Sequence, residues 1–183
     1  MPWRSLLVQF VVAVCAVTLA PQPSFGQTAA ASDVKAAFIY NFVKFTTWPT
    51  GAYESAQARV VCVMGDQAIV TALERTPRAG IAVTVRAVQP TESIDACRVL
   101  YVSGGIDQPA LARIIEAVCH YPVLTVSDRS SFAALGGIAE IFNDSGRLRF
   151  AINIAAARRA GLTLSANMLS LARIVKDERH VLP

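Results

Sequence analysis

Histidine is nearly absent: His120 and His180 are the only two in 183 residues. A zinc centre needs three or four His, Cys or carboxylate ligands at short spacings, and no such pattern occurs, so no metal ligand is assigned. Cys119-His120 is the one apparent nucleophile pair, but adjacent residues on regular structure point apart, which argues against a dyad. No G-x-S-x-G elbow accompanies Ser127, Asp128 and His120, so a hydrolase lacks its nucleophile turn and oxyanion motif. The glycine pairs at Gly104 and Gly136 lack the spacings that cradle phosphates and read as turns. Charge is also sparse, at 16% of residues with a formal net charge of +4. Its basic members are mostly scattered arginines, a pattern that does not indicate nucleic acid. No internal repeat or low-complexity tract is visible. With no catalytic residue and no cofactor assigned, elimination favours a binding or regulatory domain over an enzyme.

Apolar residues are abundant, at 54% of the chain. Part of that excess is a leader. Arg4 precedes an apolar run from Ser5 to Ala20, Pro21 and Pro23 break it, and Ser24-Phe25-Gly26 supplies small residues for cleavage after Gly26. The run is short for a bilayer span of about 20 residues. Cys15 follows Val14, where a lipoprotein site would want a small residue, so no lipid anchor is read. Residues 1–26 are therefore expected to be a signal peptide and residues 27–183 one α/β domain, large enough for a sizeable core.

The stretch KAAFIYNFVKFTTWP, Lys35 to Pro49, together with Val34 before it, has Val34, Ala37, Phe38, Phe42 and Phe45 at helical steps. Ser32 suits an N-cap, Asp33 the first turn, and Trp48-Pro49 a stop. Asn41 then lies on the apolar face and reads as a core asparagine tying the helix to a neighbouring loop. After it, strands and helices alternate. RVVCVMG from Arg59, AVTVRAV from Ala82, CRVLYVSGG from Cys97 and PVLTVSD from Pro122 read as strands. Between them, Ala68–Arg75 reads as a short helix, and Leu111, Ile114, Ile115 and Val118 form the inner stripe of another, opened by Pro109.

Such alternation predicts an α/β fold, with a mainly parallel central sheet flanked by helices on both faces. Its C-terminal edge is an antiparallel hairpin: IAEIFND from Ile138 and RLRFAINI from Arg147 flank a Ser145-Gly146 turn. Loops at Gly65-Asp66, Ser103-Gly104-Gly105 and Ser127-Asp128-Arg129 gather on one rim, where open α/β sheets bind ligands. A helix from Ala155 to Ala160 is closed by Gly161. Ser165 caps a last helix, with Met168, Leu171, Ala172 and Val175 as its inward stripe.

Beyond the leader the cysteines are Cys62, Cys97 and Cys119, which allow one internal pair. Cys62 falls within one strand and Cys97 at the start of another, and sheet neighbours can bring them together. Three separate buried thiols are the alternative.

AAFIYNFVKFTTWP, VCVMG, CRVLYVS, LTVSD…SFAALGGIAEIF and RLRFAINIAAARRAGLTLSANMLSLARIV, in that order, resemble the YfiR-like family of periplasmic proteins across nearly the whole chain after the leader. The resemblance implies an α/β domain, often a homodimer, that represses an inner-membrane diguanylate cyclase by binding its periplasmic portion. That contact restrains cyclic di-GMP signalling and biofilm formation, and an outer-membrane, peptidoglycan-associated lipoprotein competes for the repressor and releases them. It further implies that Cys62 and Cys97 form the family's recurring disulfide, leaving Cys119 a free thiol with no match to a second, redox-sensitive bridge. The family's partner-binding surface maps to the segment from Phe132 to Arg149, with Phe132, Glu140 and Arg149 as contacts and a solvated edge as the alternative. A second function class, a periplasmic small-molecule sensor with its ligand on the strand-end rim, would report to a kinase, receptor or transporter.

Overall fold

Runs of β-branched residues form the central strands, and each intervening helix begins at a side-chain cap. The computed structural model describes residues 25–51, 59–77 and 81–177. In chain order the elements are α1 Phe25–Lys44, β1 Thr46–Thr47, β2 Arg59–Met64, α2 Gln67–Arg75, β3 Val83–Val88, β4 Val99–Val102, α3 Gln108–Val118, β5 Leu124–Ser127, β6 Ala139–Asp144, β7 Arg147–Ile152, α4 Ile154–Arg159, β8 Thr163–Leu164, α5 Ala166–Leu171 and β9 Arg173–Ile174.

Seven strands form one sheet in the order β3-β2-β4-β5-β6-β7-β9. The pairs from β3 through β6 are parallel, β6 and β7 form an antiparallel hairpin, and the two-residue β9 joins β7 in parallel. This is the expected α/β sheet, mainly parallel with an antiparallel pair towards the C-terminus. β1 and β8 form a separate two-stranded ladder, Thr46 opposite Leu164.

Alternation along the strands makes two cores, one on each face. Val61, Val63, Val99, Tyr101, Leu124 and Val126 face α1, α2 and α4, whereas Cys62, Met64, Leu100 and Val102 face α3. The aromatic helix is a core helix: Phe42 meets Phe150 of β7 edge-on at 5.1 Å, and Phe38 lies 5.6 Å from the same ring. Such pairs add roughly 0.5–1.5 kcal/mol beyond their burial.

Two expectations about α1 are corrected. The helix begins at Phe25 rather than after Ser32, because Gln27 to Ala31 is an Ala-rich, helix-favouring run that carries it back. The buried stripe is Ala36, Ile39, Phe42 and Val43. Asn41 therefore points to solvent and is no core asparagine. The leader falls outside the described residues up to residue 24, as does His180.

Elsewhere Ser165 caps α5 as expected, and Asp66 and Asp107 are caps that the sequence reading did not name. Asp66 accepts from the amides of Ala68 and Ile69, Asp107 from Ala110 with Pro109 in the first turn, and Ser165 from Met168. Of the last expected stripe, Met168 is buried and Ala172 packs partly against the core, but Leu171 does not turn inward. The backbone leaves the helix at Ala172 to build β9, where the Val175 amide bonds to the Ile152 carbonyl. Leu171 and Ile174 are consequently 76% and 50% exposed.

Candidate functional site

The sheet reverses its winding at β2, with β3 on one side and β4 on the other, so the crevice beyond β2 and β4 is the topological switch point. The three loops of the expected rim do meet there. Gly65, at φ +82°, packs so closely that a Cβ would stand 3.1 Å from Ile106 and 3.3 Å from Ser103. The Asp128 carboxylate accepts from the Gly104 amide at 2.7 Å and pairs with Lys35, which reaches over from α1. Arg129 donates to the carbonyls of Ile106 at 2.6 Å and Gly104 at 3.2 Å, and to the Gln108 side chain.

The polar groups of the rim thus bond to one another, and Ile106 fills the gap between the two strand ends. Burial raises the Asp128 carboxyl, but the Lys35 ammonium and the Gly104 amide outweigh it and hold the group below its ordinary value. Beneath it lies Tyr101, fully buried, whose hydroxyl has no partner at hydrogen-bonding geometry among the described residues. Burial first, and then the Asp128 charge, push that phenol far above its ordinary value. Sequence reasoning found the rim but not Lys35 or Tyr101, which no local pattern singles out.

The segment from Phe132 to Arg149 divides in two. Phe132 is 1% exposed, in the α3-side core. Glu140 is 4% exposed, and its two carboxylate oxygens accept from the Ser131 and Ala133 amides, each at 3.2 Å. Neither side chain is at the surface in this structure, so their expected role as direct contacts does not fit their positions. Asn153 completes the same clamp: wholly buried, it caps α4 by accepting from Ala156 and donates to the Ala133 carbonyl at 2.8 Å. Thr125 accepts from the Ile138 amide at 2.9 Å, closing the turn's exit. Asn153 is a residue the sequence reading missed, although an Asn directly before IAAARR carries the N-cap signal.

Arg149 alone of the three is at the surface, in an exposed ion pair with Asp144 at 2.8 Å. Register puts Phe142 opposite Arg149, so both share the outward face of the hairpin with Arg147. Arg173 of β9 covers the half-buried Phe142 ring at 4.1 Å. This face therefore presents the Phe142 ring under Arg173, with Arg149 and Arg147 beside it on β7 and Asp144 as its exposed carboxylate.

Cys62 and Cys97 form a disulfide, their Cα atoms 5.7 Å apart, and both are fully buried. Cys119 is a free, half-buried thiol at the end of α3 that donates to the Glu116 carbonyl.

Comparison with curated proteins finds no match. Among solved structures the chain is similar to the ABC domain from Streptococcus pneumonia in complex with L-Trp, at 12% identity and a TM-score of 0.49. That likeness covers 79% of this chain, and the chain spans 60% of the other. A family comparison matches residues 32–173, which run from α1 through the hairpin clamp to β9, and by that match the chain belongs to the YfiR/HmsC-like family.

Proposed function

We propose that this protein is a periplasmic repressor that binds the periplasmic portion of an inner-membrane diguanylate cyclase and so restrains cyclic di-GMP synthesis and biofilm formation. Family membership over residues 32–173 carries a regulatory role and is the observation on which the reading rests. Two features support its details. A fully buried disulfide between Cys62 and Cys97 suits an exported protein, since such bridges persist in oxidising compartments. The outward hairpin face, with Arg147, Arg149 and Arg173 around Phe142, has the aromatic and arginine composition of protein-contact hot spots and the charge to meet an acidic partner.

Competition for that face by a peptidoglycan-associated lipoprotein, or its use in a homodimer, would set the output by differential affinity. At the strand-end rim Ile106 packs against Gly65 and Lys35 pairs with Asp128, which favours the contact reading over the alternative sensor one.

The test is co-purification of the chain from Gln27 onward with solubilised envelopes of its source organism. Recovery of a membrane protein with a cyclase output domain is expected. Recovery of a kinase, receptor or transporter without a cyclase refutes the reading. Arg149→Ala combined with Arg173→Ala is expected to weaken the captured complex at least tenfold while leaving the melting temperature within about 2 °C, because exposed ion pairs contribute little to stability.

A further inference from the structure

The crossover from β3 to β4 has no helix. Residues 89–98 form an irregular connector on the α3 side of the sheet, and Met64 and Leu100 of that face are buried beneath the place where it meets α3. Between the connector and α3 lies a groove of about 350 Å³, within the range of roughly 300–1,000 Å³ of small-molecule pockets. Its floor is Met64 and Leu100, and its far wall is Pro90 to Ile94.

The near wall is one straight stripe of α3: Ala110, Arg113, Ile114, Ala117 and Val118, at steps of three and four. Nine residues of helix, with eight rises between the first and the last, make that stripe about 12 Å long. Ala110 and Ala117 are small, and this keeps the channel open along its length.

The far wall is held in place. Cys97 ties the connector's end to β2 through the disulfide, and Arg86 donates to the Ser93 carbonyl at 2.8 Å. Two charges stand at the groove. The Glu92 carboxylate accepts from the Gln89 amide at 3.2 Å and closes its own turn. Arg113 has no hydrogen bond or ion pair among the described residues.

We propose that this groove is a binding site for a medium-chain aliphatic monocarboxylate, its alkyl chain lying along α3 over Met64 and Leu100 and its carboxylate meeting Arg113. A groove that follows α3 from Ala110 to Val118 between apolar side chains suits an alkyl chain, and the Arg113 guanidinium, unpaired among the described residues, selects an anionic head.

Isothermal titration of the purified chain with decanoate, octanoate and decylamine tests this. Decanoate is expected to bind about tenfold more tightly than octanoate, since each buried methylene contributes about 0.8 kcal/mol. Decylamine, of equal length and opposite charge, is expected to bind at least tenfold more weakly than decanoate. Arg113→Gln should weaken decanoate by about fivefold or more. Ala117→Leu should fill the channel and abolish binding, with circular dichroism showing the fold unchanged.

No binding of decanoate overturns the proposal, and so does binding indifferent to chain length, to head-group charge or to both variants. The assay contains no protein partner, so its outcome is independent of the cyclase reading.

Discussion

Glu140→Ala is the substitution that best separates a contact residue from a structural one. In the folded chain the Glu140 carboxylate accepts from two backbone amides of the turn that precedes β6, those of Ser131 and Ala133, each at 3.2 Å. Ser131 is held at φ +65°, a left-handed conformation uncommon for a residue with a side chain. Removing the acceptor leaves the buried Ala133 amide unsatisfied, at a cost of about 1–3 kcal/mol, and the half-buried Ser131 amide at the lower end of that range. The sum is about 3 kcal/mol. For a domain of this size, 1 kcal/mol moves the melting temperature by roughly 2–4 °C, so a fall of about 6–12 °C is expected. Thermal unfolding followed by circular dichroism measures it, with urea unfolding as an independent reading. Glu140→Gln keeps one oxygen acceptor at the same place and should lose about half as much. If Glu140→Ala melts within about 2 °C of the unsubstituted protein, the clamp contributes nothing and the reasoning fails. If it melts normally and loses partner binding, Glu140 acts at the surface after all.

The remaining predictions address other parts of the fold. Replacing Cys62 and Cys97 together by alanine opens a loop with a sequence separation of 35, and the chain-entropy relation gives a loss of about 3–4 kcal/mol; calorimetry showing a loss below about 1 kcal/mol would contradict it. Gly137→Ala places a Cβ 2.1 Å from the Phe132 ring in the core, so a loss of about 3 kcal/mol, or failure to fold, is expected on expression and melting. Asp128→Asn removes the charged partner of Lys35 and should lower stability by about 2 kcal/mol at neutral pH. Because the folded Asp128 carboxyl sits below its ordinary value, its contribution is present above the unfolded value of about 3.9 and disappears as pH falls through the folded one. The gap between Asp128→Asn and the unsubstituted protein should therefore narrow below about pH 4, and a gap unchanged down to pH 2 would refute the assignment.

The parallel strands were legible because β-branched runs bounded by Gly, Ser and Asp have few alternatives, and α3 because four apolar residues at helical steps follow a proline. The inward face of α1 was not legible for the opposite reason. Phe38, Ile39, Tyr40, Phe42, Val43 and Phe45 nearly encircle the helix, so periodicity cannot choose among its faces, and the sheet's demand for Ile39 and Val43 decides. The C-terminal stripe failed where a backbone partner outweighed local pattern. Ala172 leaves the helix because Val175 finds the Ile152 carbonyl, a contact many residues away in sequence.

Glu140 illustrates the limit most clearly. Strand parity puts it on the same face of β6 as Phe142, and Phe142 lies opposite Arg149 on the outward side of the hairpin, so a sequence reading assigns all three to one surface. That face is solvent-exposed only along the outer half of the strand. At its beginning, the turn of residues 129–137 folds back over the sheet, and two of its amides need an acceptor that only a carboxylate at position 140 can reach. A polar side chain in a strand next to a glycine-ended turn therefore has two readings that alternation cannot separate. What separates them is the count of amides in the turn that lack a partner of their own, and that count makes Glu140 part of the fold and leaves Arg149, whose removal orphans no buried group, to the surface.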